Sequence, residues 1–449
     1  MIRAAVLLLL ALAACAPAPR VETNRAPIDI TFPPMERFRA ASPGPALRPN
    51  SEIAEDILDL AFSLESGRAL PVLTRFEGPI TLRVQGPLPE AASRDLDDLL
   101  GRLRREAGIP ITRITGGEAR ITLEAVPGEV LRRTVPDAAC FVVPRISGFS
   151  QLAPARRTGA LDWATLRTRE RATIVLPADA PPQEIRDCLH EELAQALGPL
   201  NDLYRLPDSV FNDDNVHTVL TGFDMLVLRA YYDPALRSGM TRGEVAARLP
   251  AILARINPRG AYQPARFATR TPRAWSEAIR TALGRAVSSS SRIAAASEAI
   301  RIAEAMGWDD HRRAFAHYAM GRVLQASDPQ AAQQHYLEAD RFYARTPGAE
   351  LHRAYVATQL SAYAITRGEG AEALRLTGPH IETARRNENA ALLATLMLLR
   401  AEALELENRH AEARSVRLDS IGWARYGFGP DWAVRAKLRE IASLNPLKG

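Results

Sequence analysis

Lysine is nearly missing from this chain of 449 residues: it occurs only at positions 437 and 448, and arginine supplies the remaining basic charge. The net charge of +5 is small for the length, and no dense basic run alternates with aromatic residues. Nucleic-acid binding needs a concentrated cationic patch, so the composition argues against it. Cysteine is scarce too. The three, Cys15, Cys140 and Cys188, have no metal-knuckle spacing. No Ser-His-Asp set, phosphate loop or dinucleotide fingerprint occurs, and Gly116-Gly117 is only a turn beside a strand. A bilayer-spanning apolar run is also lacking. The stretch from Ala4 to Ala14, about eleven residues, is too short to cross a membrane but suits the core of a signal peptide.

What is present is globular in composition, 47% hydrophobic and 24% charged, and long enough for two or three domains. Residues 1–14 read as the signal, and 15–49, with APAP, PP and SPGP, as a flexible tether. From Asn50 periodicity begins. SEIAEDILDLAFSL (51–64) and ASRDLDDLLGRLRREAG (92–108) have helical spacing, and ITLRV (80–84) alternates as a strand. ARITLEAV (119–126), AACFVVPR (138–145) and RATIVLP (171–177) supply further strands. PPQEIRDCLHEELAQALG (181–198) opens on prolines and stops at Gly198, as a helix should. The expected class for 50–240 is α+β.

Beyond Gly239 the character becomes helical, with a connector over 241–290 and an all-α region over 291–449. Segments starting at Gly321, Ser361 and Ala401 align at one interval, placing Ala331, Ala371 and Ala411 forty residues apart. The small residues at those points are expected to let paired helices approach closely. The pattern resembles tetratricopeptide hairpins, stretched beyond their period of about 34 residues. A plain Ala-rich bundle is the alternative. A stacked array implies a concave face for a protein partner.

The chemistry is concentrated in LHEELAQALGPLND (189–202). A zinc peptidase of the HExxH type holds its metal with two imidazoles one turn apart, and a Glu beside the first activates water. Starting that pattern at His190 puts Ala194 where the second histidine belongs. Shifting by one gives a spacing that resembles HExxHxxGxxH of the metzincins, with Glu191, Gln195 and Asn201 at the ligand positions. Glu192 then occupies the general-base position, and Gly198 the turn. Ser209-Val210-Phe211-Asn212-Asp213 resembles the matrixin Met-turn, with Phe211 replacing its methionine, and LTGFDMLVLRAYYDP resembles the helix after it, Asp224 matching an acid. CLHEELAQALGPLND, SVFNDD and the run ending in YYDP are similar to an uncharacterised family of bacterial lipoproteins, DUF2927, over about 139–240. That label implies no activity. Leu12-Ala13-Ala14-Cys15 resembles a lipobox, which implies lipidation at Cys15 and a periplasm-facing place on the outer membrane of a bacterial envelope.

One carboxylate and two amides bind zinc poorly. With help from Glu192, Asp202 or Asp213 the site suits Ca²⁺ or another divalent cation better, and no cofactor at all is the simpler expectation. His190, Asp202, Asn212, Asp213 and Asp224 complete the candidate cleft. His217 is a lone histidine near it, more ordinarily a packing residue than a ligand. The bland alternative is that these polar groups hydrogen-bond one another and pin the 199–215 loop. In an oxidising compartment Cys140 and Cys188 either form a disulfide or stay as buried thiols. The expected function is a membrane-anchored binding or scaffold protein on a degenerate zincin-like domain. The competing reading is a divergent metallopeptidase or hydrolase using Glu192 as base.

Overall fold

The computed structural model describes residues 32–38, 44, 46, 48–136, 138–265, 268–284 and 286–448. The signal segment, Cys15 and most of the tether lie outside the described residues. The first lobe runs α1 (Asn50–Ala61), β1 (Ile80–Gln85), α2 (Glu90–Glu106), β2 (Ile111–Ile114), β3 (Ile121–Val126), α3 (Gly128–Thr134), β4 (Phe141–Pro144), α4 (Leu152–Thr158), β5 (Ala172–Pro177), α5 (Pro182–Leu197), α6 (Gly222–Tyr231) and α7 (Arg242–Ile256). The strands make one five-stranded sheet in the order β2-β1-β3-β5-β4. It is a mixed α/β sheet. β1 pairs in parallel with β2 and β3, and β3 with β5, while β4 alone runs antiparallel, along β5.

Parallel neighbours need a crossover, and α2 provides it between β1 and β2. Its apolar stripe, Leu96, Leu99, Leu100 and Leu103, is buried in the same core as Leu82, Leu123 and Ile174 of the strands. β5 is buried along its whole length, which explains its unbroken apolar run.

From Arg242 onward every described element is a helix, ten α-helices and one short 3-10 helix among the described residues. The 241–290 stretch is not a connector, because its helices divide between two cores. α7 buries Val245, Leu249, Ile252 and Leu253 with α1 in the first lobe. α8 (Arg273–Leu283) buries Trp275 and Ile279 in the second core. There it joins α9 (Ser289–Ala305), α10 (His311–Leu324) and α11 (Pro329–Tyr343), followed by α12 (Glu350–Thr366), α13 (Gly370–Arg386), α14 (Ala390–Leu406), α15 (His410–Phe428) and α16 (Asp431–Ala442).

The pairs α10/α11, α12/α13 and α14/α15 recur at the interval read from sequence. The small residues that permit close approach are others, however. Ala331 is half-buried, and Ala371 and Ala411 are exposed. The tightly packed positions are Ala332, Ala373 and Ala413, with Gly321, Ser361 and Ala401 on the partner helices. A Cβ at Gly321 would lie 2.6 Å from the Tyr336 ring, so that contact requires glycine.

Candidate functional site

α5 organises the site. Pro182 opens it, and Ile185, Leu189, Leu193 and Ala196 bury one face in the α/β core. Cys188, on that face, is bonded to Cys140 just ahead of β4, with 5.9 Å between their Cα atoms. Closing a loop of 48 residues is worth about 4 kcal/mol on the chain-entropy estimate.

The C-terminal carbonyls of α5 have no partners within the helix. Buried Arg169 donates to the carbonyls of Gln195, Ala196 and Gly198. The Tyr232 hydroxyl donates to Leu197 O at 2.9 Å. Gly198 is required for space, not for a left-handed turn: its φ is −172°, and an added Cβ would meet the Tyr231 ring at 2.7 Å.

On the opposite face of α5 lie Asp187 and Glu191, whereas Glu192 falls among the apolar positions. Asp187 and Glu191 are four residues apart and share a face. Burial, then repulsion from Glu191 and Glu184, pushes Asp187 up to about 8. Burial, then repulsion from Glu65 and Asp213, pushes Glu191 up to about 7. Glu192 is buried, and its Oε2 has no hydrogen-bond partner among the described residues. Burial and the neighbouring Glu191, Glu65 and Asp187 hold it well above the usual carboxylate range. Asp202 is raised in the same way, by burial and then by Glu65, Glu191 and Asp213, and its Oδ1 also lacks a partner. Glu65 and Asp213 are exposed at the rim. Glu191, Glu192, Asp202 and Asp213 therefore form one electrostatic group.

The other candidates are placed elsewhere. Asn201 turns to α1, its Nδ2 donating to Asp59 O at 3.0 Å. Gln195 is buried in the last turn of α5. His190 is not a cleft residue. It lies 2% exposed, its Nδ1 accepts from Leu220 N–H at 3.0 Å, and burial together with Arg186 and Arg102 holds it well below its ordinary range. Asp224 is not in the cleft either, because it caps α6. Its carboxylate accepts from the N–H groups of Thr221 and Val210 and from the hydroxyls of Thr221 and Ser209. Phe211 is fully buried in the core, and Asn212 donates to Leu206 O and Asp214, both at 2.8 Å. Among the described residues no three His, Cys, Asp or Glu side chains are arranged to hold a metal ion.

The loop from Asn201 to Val219 belongs to both lobes. Tyr204 is buried against Trp275 of α8 and Phe315 of α10. Asn201, Asp202 and Tyr204 also line a cavity of about 630 Å³ whose far wall includes Arg273 and Arg280 of α8. Sequence reading missed Glu65, Asp187, Asp214, Arg169 and His352. Only Asp187 had a signal, its four-residue spacing from Glu191.

This geometry accompanies a family match. Residues 50–251 match the family described as Protein of unknown function (DUF2927). The matched segment thus runs from the first residue of α1 into α7, taking in the sheet, α5 and the loop after it. It covers just under half of the chain and leaves out α8 to α16. No curated protein and no solved structure matches the chain.

Proposed function

We propose that this is a lipid-anchored envelope protein with a zincin-like α/β frame that serves binding and not peptide cleavage. The tetratricopeptide-like helical array is its face for a protein partner. The observation that carries this reading is the state of the three ligand positions. Glu191 is a carboxyl with a pKa of about 7, Gln195 is an amide, and the Asn201 amide is engaged by α1. Such a set lacks the imidazole and thiolate donors that hold a catalytic zinc ion. The zincin-like comparison is supported by α5 lying on a sheet with its acidic face turned to the downstream loop. The array adds a groove of about 460 Å³ lined by Gln325, Gln330, Gln333, Tyr363, Thr366 and Arg367.

A second reading rests on Glu192. A buried carboxyl with an unpaired oxygen and a raised pKa is what a general acid or base looks like. Complementation of a deletion strain separates the two. Glu192→Gln is expected to complement, and the paired change Gln330→Arg with Gln333→Arg, which fills the groove, is expected to fail. A Glu192→Gln protein with unchanged melting that fails, beside a groove variant that succeeds, makes the protein a hydrolase.

A further inference from the structure

Three histidines meet where the two lobes join. His217 comes from the loop after α5, His311 begins α10 and His352 lies on α12. They are 8%, 4% and 2% exposed. The His217 and His352 rings are 6.0 Å apart and the His311 and His352 rings 6.3 Å. We propose that these imidazoles form a proton-operated latch that keeps the 201–217 loop clamped to the helical lobe while neutral and releases it in acid.

The hydrogen bonds fix the argument. His217 Nε2 lies 3.0 Å from Pro207 O, and His311 Nε2 2.6 Å from Tyr204 O. A carbonyl only accepts, so both rings carry their proton on Nε2. His352 Nε2 donates to Asp214 Oδ2 at 2.7 Å. In two of these three bonds a helical-lobe histidine grips the loop.

The Nδ1 atoms of His311 and His352 are buried and have no partner among the described residues. Protonating either ring puts a charged N–H at Nδ1 with no acceptor, and leaves an unsatisfied buried donor. It also places a cation about 6 Å from the next imidazole.

The surrounding charges do not offset this. Asp214 faces His352 and His217, and Asp208 faces His217 from the loop. Asp310 and Arg312 flank His311 at the start of α10, and Arg312 occupies Asp310 with a bidentate pair. Tyr343 of α11 lies against His352, the rings tilted and 5.1 Å apart, and brings no charge at neutral pH. Asp213 is at the solvent rim of the loop. Asp214 therefore faces two of the three rings, and the carboxylate beside the third, Asp310, is shared with Arg312.

Burial lowers His217 and carries His311 down to about 4, with His352 opposing protonation of both. In the released state His217 and His311 return to the free value of about 6.5. The closure they contribute is complete above that value and is lost as pH falls from it towards about 4.

Amide exchange on the full chain, read peptide by peptide at about pH 7.5 and about pH 5 and corrected for intrinsic rates, tests the latch. Opening of the 201–217 segment and of the start of α10 is expected to rise roughly thirtyfold at the lower pH, from His311 alone. The triple variant H217Q/H311Q/H352Q is expected to lose that dependence, since glutamine keeps a donor but takes no proton. Glu191→Gln, which alters the carboxyl group and not the rings, is expected to keep it. Equal protection at both pH values in the native chain overturns the proposal. So does an undiminished pH response in the triple variant.

Discussion

At the scale of single residues, the site is a set of carboxyls pushed together by the fold. Asp187 and Glu191 titrate at about 8 and about 7, well above their free values. The folded chain therefore holds protons that the unfolded chain has already released. A raised carboxyl pKa contributes stability that is full below the ordinary carboxylate range and is lost as pH rises through the folded value. Native stability is expected to decline from about pH 6 to about pH 8 on this account. The variant Asp187→Asn with Glu191→Gln, which imitates the protonated forms, should be the more stable protein at about pH 8. After solvent screening the gain is on the order of 1–2 kcal/mol. Urea melts of both proteins at the two pH values check this. A native chain that gains stability towards alkaline pH contradicts it. The sign is opposite to that of the buried histidines, so the two effects separate by variant.

At the scale of elements, α5 shows what keeps the carboxyls in place. Arg169 and Tyr232 satisfy its last carbonyls, and Tyr231 seals the end by lying on Gly198. Gly198→Ala is expected to cost roughly 1–3 kcal/mol through overpacking, since the added Cβ meets the Tyr231 ring. Thermal denaturation checks the loss. A second change, Tyr231→Leu, should cost less in the Gly198→Ala background than in the native one, because the clash is already relieved. An additive pair rules out that cause.

Much of this element pattern was legible in the sequence. α1, α2 and α5 carry clear periodicity, β5 a closed apolar run, and the helical hairpins a fixed interval. β2 was not legible, because four residues with two exposed side chains carry no period. α3 and α4, of seven residues each, are too short for one. The site was half legible. Glu191 and Glu192 follow from helical spacing, but Glu65, Asp214 and His352 reach the site through tertiary contacts that local pattern does not encode. Asp224, expected in the cleft, caps α6 instead. A helix cap looks like a site residue when only its spacing is known.

At the scale of the whole molecule, the two lobes share more than the histidine junction. Arg186 of α5 pairs with Glu388 in a buried contact, Gln183 donates to Asn389 at 3.0 Å, and Tyr426 of α15 donates to Asp95 of α2 at 2.6 Å. None of the described helices is long and apolar enough to cross a membrane. Under the proposed anchoring, the membrane attachment resides in Cys15. Cys15→Ser is expected to move the protein from the membrane pellet to the soluble periplasmic fraction and to abolish labelling by a radioactive fatty acid. Membrane retention of that variant would refute a lipid anchor.

The shared loop also orders events in time. Asp214 waits for a histidine 138 residues later in the chain, and Asp95 for a tyrosine 331 residues later. As the chain folds, the sheet and α5 can assemble early, while Tyr204 has no core to enter until α8 and α10 arrive. Contacts of such separation are slow to close, because the intervening chain must be ordered first. The seating of this loop is therefore expected to follow the sheet, and the docking of Tyr426 on Asp95 spans more chain still. Until the loop is seated the carboxyl cleft stands open beside an exposed aromatic, the state in which a chaperone or a protease would first meet the chain.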